Sequence, residues 1–342
     1  MDLFDTVVLN RLVASRKQPS TFLRDVFFPT VETHDSKFIA FDTEQRKLRL
    51  TPFVHPTVAG RLVENQGTVA ERIEAPYVKD KRRFDPDRPL RRAPGEQIGG
   101  TQLTPQQRRE LALLRSMDDQ LRMLAMREEV MVSESLRTGR VTISGEGFPT
   151  QQIDYRRDAA LTVTLTGNDR WGQSGVDPVE TLEANAQLVQ DEDGSIANVV
   201  VFEPKAWGRF RAADSVKAVL DTRRGSTSQA ELGPLDGRKA RMVGVIGDFE
   251  CWVYQEAYVD EDGVARKVMP DWAVIQGARD IEGVRAYASI QDEEANYEAS
   301  QYFVKSWLEK DPAVRWLLMQ SAPLPIPYRP NATLGMIVDG GA

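Results

Sequence analysis

The stretch TPQQRRELALLRSMDDQLRMLAMREEVMVSESLR, residues 104–137, decides the fold because it predicts one long amphipathic helix. Thr104 supplies a hydroxyl N-cap, Pro105 takes the first helical position, and Gln107 stands where a capping box needs it. Gly139 stands where a C-terminal cap is expected. The apolar stripe recurs at helical spacings, at Leu114, Met117, Leu121, Leu124 and Met131. The opposite face is predicted to carry the charge, at Arg108, Arg109, Asp118, Asp119, Arg122, Arg127, Glu128 and Glu129.

The length of this helix limits the architecture. At 1.5 Å per residue it is about 50 Å long, against an average helix of about 11–12 residues. Such a helix is longer than a single small core. We therefore expect it to lie along a flattened domain or to reach a neighbouring subunit; an ordinary long core helix is the alternative.

Composition bounds the class of protein. The chain has 342 residues, of which 41% are hydrophobic and 28% charged, as in soluble globular proteins of two domains or one elongated fold. No apolar run approaches the ~18 residues of a membrane span, and the first residues lack a signal-peptide pattern. A single cysteine, Cys251, excludes an intrachain disulfide and fits a reducing compartment. The net charge of −7 argues against a surface that coats nucleic acid non-specifically.

The chain ahead of the long helix shows two features. Residues 1–38 contain an apolar segment around Phe22, Phe27 and Phe28 that predicts no full element, so it either packs on its own domain or docks on a neighbour as an arm. Residues 39–100 are extended and broken by prolines, which suggests a projecting loop.

A basic segment lies within that extended region. Residues 76–92 hold seven basic and three acidic residues but only two aromatic ones, Tyr77 and Phe84. A nucleic-acid surface would interleave more aromatic residues with the basic ones. We therefore expect a solvated loop or hairpin that pairs with acidic surface on another subunit.

The remainder predicts a compact α/β region. A capping pattern at Asp177-Pro178 opens a second amphipathic helix, residues 197–202 form a buried strand, and Glu203-Pro204 opens a further helix. Strands follow at residues 240–246, 250–258, 264–269, 272–276 and 284–290. Asp260 to Gly263 signals a hairpin turn between two of them. The prolines from Pro323 onward predict an edge strand or a loop.

Catalytic chemistry has little support. His34 and His55 are the only histidines and have no partner at ligand spacing, and no phosphate loop, dinucleotide loop or nucleophile elbow occurs. Cys251 within an apolar strand predicts a buried structural thiol. Arg223 and Arg224 after Asp221 could clamp a phosphate or an acidic partner, but their place before Gly225 favours an anchor for a loop. We predict no catalytic, cofactor or metal site, and no enzyme.

Several short motifs resemble one family. The run FEPKAW at 202–207, followed by LDTRRGS at 220–226, resembles the middle of the lambda-type phage major capsid protein, the capsid protein E family. YVKDK at 77–81 with LRR at 90–92 is similar to that family's extended loop, and IQD at 290–292 with MQSAPL at 319–324 resembles its C-terminal third. These motifs occur in family order from about residue 22 to residue 324.

The resemblance implies the α+β Hong Kong 97-like capsid fold. It places an N-terminal arm at residues 1–38, an extended loop hairpin with flanking strands at 39–100, and a peripheral domain at 101–190 with a spine helix at 104–137. An axial domain follows at 191–300, and residues 301–342 return to the peripheral domain.

The resemblance also implies a function. It predicts the major capsid protein of a tailed double-stranded DNA phage, which forms hexamers and pentamers and closes an icosahedral shell around the packaged genome. Partners would be a scaffolding protein, a portal protein, and a decoration protein that often caps the shell at three-fold sites. Packaged DNA would lie near the shell without sequence-specific binding. The protein would reside in the virion, and in host cytoplasm during assembly, without a membrane or a cofactor.

Two alternatives stay open at the level of sequence. One is an encapsulin-like compartment shell, and the other is a cytosolic enzyme or nucleic-acid binder that uses the arginine-rich stretches. For the shell protein we predict inter-subunit contacts at Phe22, Phe27, Phe28, Tyr77, Lys79, Lys81, Arg82, Arg83, Arg91, Arg92, Asp221, Arg223 and Arg224.

Overall fold

A computed structural model defines the fold. It describes residues 4–16, 19, 21–44, 51, 53–55, 57, 59, 68–84, 103–145, 147–217, 240–311 and 314–340. The helices are α1 (Thr6–Ser15), α2 (Phe22–Phe27), α3 (Pro105–Thr138), α4 (Pro178–Asp193) and α5 (Pro204–Phe210).

The strands are short and distributed along the whole chain. In the first half they are β1 (Thr30–His34), β2 (Phe38–Glu44), β3 (Thr68–Glu74), β4 (Val78–Phe84), β5 (Arg140–Gly145), β6 (Phe148–Asp154) and β7 (Thr162–Thr164). In the second half they are β8 (Val199–Phe202), β9 (Ala240–Ile246), β10 (Phe249–Tyr254), β11 (Ala257–Val259), β12 (Ala265–Lys267), β13 (Ala273–Gly277), β14 (Gly283–Ala288), β15 (Phe303–Glu309), β16 (Val314–Ser321), β17 (Pro323–Pro327) and β18 (Thr333–Ile337).

The long helix α3, hereafter the spine helix, begins and ends as its caps predict. The Thr104 side chain accepts a hydrogen bond from the Gln107 backbone N–H at 3.2 Å, and Gln107 Oε1 accepts one from the Thr104 N–H at 2.9 Å. Both bonds satisfy backbone donors that a helix start leaves unpaired. Gly139 ends the helix in the left-handed conformation, with φ 68°. The predicted helix is confirmed.

The spine helix forms a wall of three separate cores. Its first half contributes Leu113, Met117 and Leu121 to a core with α1, β15 and β16. Its second half contributes Val132 and Leu136 to a core under the largest sheet, and Met131 to a third core that includes β5 and β6. The spine helix therefore contacts three cores in succession, which agrees with the expectation that so long a helix lies along its domain.

Two of the sheets combine parallel and antiparallel pairs, and each of the three larger sheets draws on distant parts of the sequence. The largest has six strands in the order β7-β18-β13-β8-β10-β9. Two three-stranded sheets have the orders β1-β14-β17 and β15-β16-β4. Two-stranded pairs are formed by β2 with β3, β5 with β6 and β11 with β12.

The FEPKAW motif has a structural explanation. Glu203 is buried and caps α5, since its carboxylate accepts from the Lys205 N–H at 2.7 Å and from the Ala206 N–H at 3.4 Å. The same carboxylate accepts from the Trp272 N–H at 3.1 Å, which ties α5 to the start of β13. The Phe202 ring packs in an aromatic cluster with Trp171, Trp207 and Phe210. One motif thus joins a strand, a helix and an aromatic core.

Three sequence expectations need correction. The basic segment 78–84 was expected to form a solvated loop or hairpin, but it forms strand β4, which pairs with the distant strand β16. The strand expected over 250–258 is divided into β10 and β11. The prolines after residue 323 place β17 at a sheet edge as expected, but β18 lies inside the six-stranded sheet between β7 and β13.

The N-terminal helix α1 covers an otherwise open sheet edge. The Asn10 side-chain amide donates to the Val304 carbonyl at 2.9 Å and accepts from the Val304 N–H at 2.9 Å. This pair of bonds takes the place of a neighbouring strand at the edge strand β15. Arg16 fixes the end of α1 to the spine helix through two bonds to Asp118, at 2.7 and 2.5 Å.

Gly335 in β18 meets the end of the spine helix with no room for a side chain. A Cβ at this position would lie 2.0 Å from the Arg137 carbonyl oxygen. Gly335→Ala should therefore lower the free energy of unfolding by about 3 kcal/mol through overpacking. The urea unfolding midpoint of the dispersed protein measures this.

Gly145→Ala is the matched control, because a Cβ at Gly145 meets nothing within 4 Å. Equal stability of the two variants would contradict the close approach between β18 and the spine helix.

Candidate inter-subunit contact surface

The alternation of strand β4 sorts the predicted basic residues into two groups. Lys79, Lys81 and Arg83 are exposed, whereas Asp80 and Arg82 are half-buried toward the spine helix. Gln120 of the spine helix donates to the Asp80 carbonyl at 3.0 Å, which holds the strand against the helix. The exposed side of β4 is therefore formed by Lys79, Lys81 and Arg83.

The exposed lysines lie on aromatic rings. Lys81 Nζ is 4.0 Å from the ring centre of Trp316 and 5.3 Å from that of Trp307, and Lys79 Nζ is 5.1 Å from that of Tyr77. Trp307 and Trp316 are direct cross-strand partners in β15 and β16. We call the outward side of this sheet, formed by Lys79, Lys81, Arg83, Trp307 and Trp316, the basic-aromatic face.

Arg82 is turned inward and is satisfied within the chain. Its Nε donates to Asp80 at 3.0 Å and its Nη1 donates to Asp119 of the spine helix at 2.8 Å. This predicted contact residue therefore positions β4 on the spine helix.

Tyr77 is also engaged within the chain. Its hydroxyl donates to Gln320 Oε1 at 2.9 Å and accepts from the Gln291 N–H at 3.1 Å. Burial raises the pKa of Tyr77 to about 12, because the phenolate would lose its hydration. The Tyr77 ring still makes the cation–π contact with Lys79.

The three predicted arm residues lie in the chain's own core. Phe22, Phe27 and Phe28 are each 1% exposed or less and pack with Val132 and Leu136 of the spine helix. Of the two alternatives for this apolar segment, packing on its own domain is the one observed.

Two adjacent carboxylates of the spine helix hold this segment. Glu129 accepts from the backbone N–H groups of Leu23 and Arg24, at 2.8 and 2.9 Å, and from the Tyr254 hydroxyl at 2.8 Å. Glu128 accepts from Arg24 at 2.8 Å and from the Tyr287 hydroxyl at 2.7 Å. The sequence assigned both glutamates to the charged outer face, which is wrong: both are buried.

The end of the spine helix is held by an arginine that the sequence analysis missed. Arg157 donates to the carbonyl oxygens of Leu136 and Arg137, at 2.6 and 2.5 Å, and so satisfies acceptors that a helix end leaves unpaired. Burial lowers the pKa of Arg157 to about 9. No local pattern marks this role, since the helix-end carbonyls that Arg157 binds lie 20 or more positions away.

The remaining predicted contacts, Arg91, Arg92, Asp221, Arg223 and Arg224, lie outside the described residues. Trp307 and Trp316 are not among the residues predicted from the sequence as contacts. One sequence signal could have led to them. Lys79, Lys81 and Arg83 recur at every second position, which predicts a strand with an exposed basic side, and such a strand must pair with other strands in a sheet.

Glu129 makes the docking of α2 sensitive to pH. Burial raises the pKa of Glu129, and this effect outweighs the Arg24 and Leu23 N–H groups, which favour the charged form. The folded chain therefore keeps this proton to a higher pH than the unfolded chain does. The contribution of Glu129 to the free energy of unfolding is greatest below the unfolded pKa and falls as the pH rises toward the folded pKa.

Glu129→Gln removes this titration. We expect the stability of the wild type, relative to this variant, to fall as the pH rises from about 4.5, measured by urea unfolding between about pH 4 and pH 8. Glu183→Gln, at an exposed position of α4, is the control. If the free energies of unfolding of the wild type and Glu129→Gln changed with pH in parallel, the Glu129 carboxylate would not be desolvated.

In chemical terms, the basic-aromatic face suits an acidic segment that also carries apolar side chains. The cations attract carboxylates, and the indole rings offer apolar area. No helix in the described part of the chain is long and apolar enough to cross a membrane.

Comparison with known proteins supports one family throughout. The family model described as phage major capsid protein E matches residues 5–338. The major capsid protein of Escherichia phage lambda is 33% identical over 280 residues, which cover 80% of each chain. The major capsid protein of Escherichia phage N15 is 30% identical over 311 residues, which cover 89% of each.

The fold has a solved counterpart. A crystal structure described as the capsid protein of an Escherichia coli CFT073 prophage superposes with a TM-score of 0.76 at 22% identity, covering 97% of this chain and 98% of that one. The α+β fold is Hong Kong 97-like, as predicted. With the family model covering nearly its full length, this chain belongs to the phage major capsid protein E family.

Proposed function

We propose that copies of this chain assemble as hexamers and pentamers into the icosahedral shell that encloses the packaged genome of a tailed double-stranded DNA phage. The observation that carries the proposal is the agreement with phage major capsid proteins across nearly the whole chain. The basic-aromatic face supports it, because an exposed layer of cations over indole rings suits a contact that is repeated between copies.

The domain division follows the family pattern. We propose an arm at 1–38, an extended hairpin at 39–100 and a peripheral domain at 101–190. An axial domain would cover 191–300, and a C-terminal return would cover 301–342. Pairing of β2 with β3 supports a hairpin at the base of the extended segment. Since β18 pairs with β13 on one side and with β7 on the other, the C-terminal return would link the axial and peripheral domains.

Further partners belong to the proposal. A scaffolding protein would guide assembly in the host cytoplasm, a portal would occupy one vertex, and a decoration protein would cap three-fold sites. The finished shell would be part of the virion. The net charge of −7 suits a wall that lies beside DNA without adhering to it.

The rival functions have less support. An encapsulin-like shell is disfavoured because the sequence relatives at 30% identity or more are phage coat proteins. A nucleic-acid binder is disfavoured because the same relatives are phage major capsid proteins.

Sedimentation velocity with negative-stain imaging tests the proposal. The protein is expressed alone and together with a co-expressed scaffolding protein. We expect closed shells or capsomer-sized rings in at least one sample. A uniform monomer or dimer in both samples would contradict a shell protein, and binding to nucleic acid that falls steeply with salt would favour the rival.

A further inference from the structure

The hairpin formed by β11 and β12 has a preformed, exposed turn. Its strands pair only with each other within the described sheets, and residues 261–267 are all exposed. Asp260 fixes the turn, since its carboxylate accepts from the Asp262 N–H at 3.1 Å, from the Val264 N–H at 2.8 Å and from Arg266 at 2.5 Å. An isolated two-stranded hairpin is only marginally stable in water, so the hydrogen bonds of the Asp260 side chain help to stabilise this one.

The tip of this hairpin combines acidic and apolar side chains. Glu261 and Asp262 are exposed, and Val259 and Val264 are 67% and 52% exposed. Within its own chain Glu261 bonds to Arg127 of the spine helix at 2.7 Å. We call Val259, Glu261, Asp262 and Val264 the acidic tip.

The basic-aromatic face has the complementary chemistry. Lys79 and Lys81 are exposed, and no ion pair joins either of them to a carboxylate in the described part of the chain. Trp307 beside them is 37% exposed and offers apolar area next to Lys81. Cations and indole rings on this face match carboxylates and valines on the tip.

We propose that the acidic tip of one copy docks on the basic-aromatic face of a second copy. The proposal rests on the proposed function, since shell assembly brings the copies together. Charge pairing would set the register, and burial of the valines against the indole rings would supply apolar contact. The second copy is the favoured occupant because both complementary surfaces belong to the same chain.

The two surfaces differ, so the contact is heterologous. A heterologous contact repeated from copy to copy closes into a ring when the rotation permits. This geometry agrees with hexamers and pentamers.

A charge exchange tests the pairing. One variant carries Lys79→Glu and Lys81→Glu, a second carries Glu261→Lys and Asp262→Lys, and a third carries all four changes. We expect each of the first two to raise the protein concentration needed for shell formation at least about tenfold, because like charges then face each other. The third should return to within about threefold of the wild type, because opposite charges face each other again.

Matched controls separate this effect from a change in net charge or in folding. Arg241→Glu and Glu183→Lys reverse exposed charges outside both surfaces, and they should assemble as the wild type does. Urea unfolding of each variant confirms that the chain folds. Normal assembly of the first two variants would overturn the contact, and so would a third variant as defective as either of them.

Disulfide trapping gives a second test that does not depend on charge. One chain carries Lys81→Cys and the other Val264→Cys; the natural Cys251 is fully buried and does not compete. Co-assembly and mild oxidation should give a dimer of two 38.4 kDa chains that neither variant forms alone. Shells without this dimer would overturn the contact but leave the proposed function intact. A wild type that forms neither shells nor rings would count against both.

Discussion

Two adjacent buried carboxylates in the middle of the spine helix fix the relation between the N-terminal segment and the rest of the fold. Glu128 and Glu129 stand on the helix side that faces α2, where together they accept five hydrogen bonds from groups of three other segments. Removing one partner from a buried network of charged groups lowers the free energy of unfolding by more than the intact network contributes to it. The pair therefore specifies where residues 22–28 must pack, which the apolar contacts of three phenylalanines alone would not.

This intrachain docking determines what is left for assembly. Phe22, Phe27 and Phe28 are buried, α1 covers the edge of β15, and Arg82 bonds to the spine helix. These groups are therefore engaged within their own chain. The basic-aromatic face and the acidic tip are among the surfaces that stay exposed in the described part of the chain. A coat protein needs contacts that are weak singly and repeated many times, and exposed charged faces meet that need better than a buried arm.

Sequence reasoning succeeded where the signals are local. The capping box at Thr104, the glycine at 139 and the capped helix after Glu203 all come from neighbouring residues, and each is confirmed. It failed where a distant partner decides the outcome. Strand β4 was expected to be a solvated loop or hairpin because its partner β16 lies more than 230 positions away. Glu128 and Glu129 were placed outside because burial of a carboxylate depends on donors from remote segments. The family resemblance supplied the architecture, but not which of the basic residues face outward.

A cryo-electron microscopy map of the assembled particle tests the central claim most directly, because it shows which chain's spine helix holds each N-terminal segment. We predict continuous density in which residues 22–28 pack on Glu128 and Glu129 of the same copy. Density that leads residues 22–28 of one copy onto the spine helix of a neighbour would contradict the account.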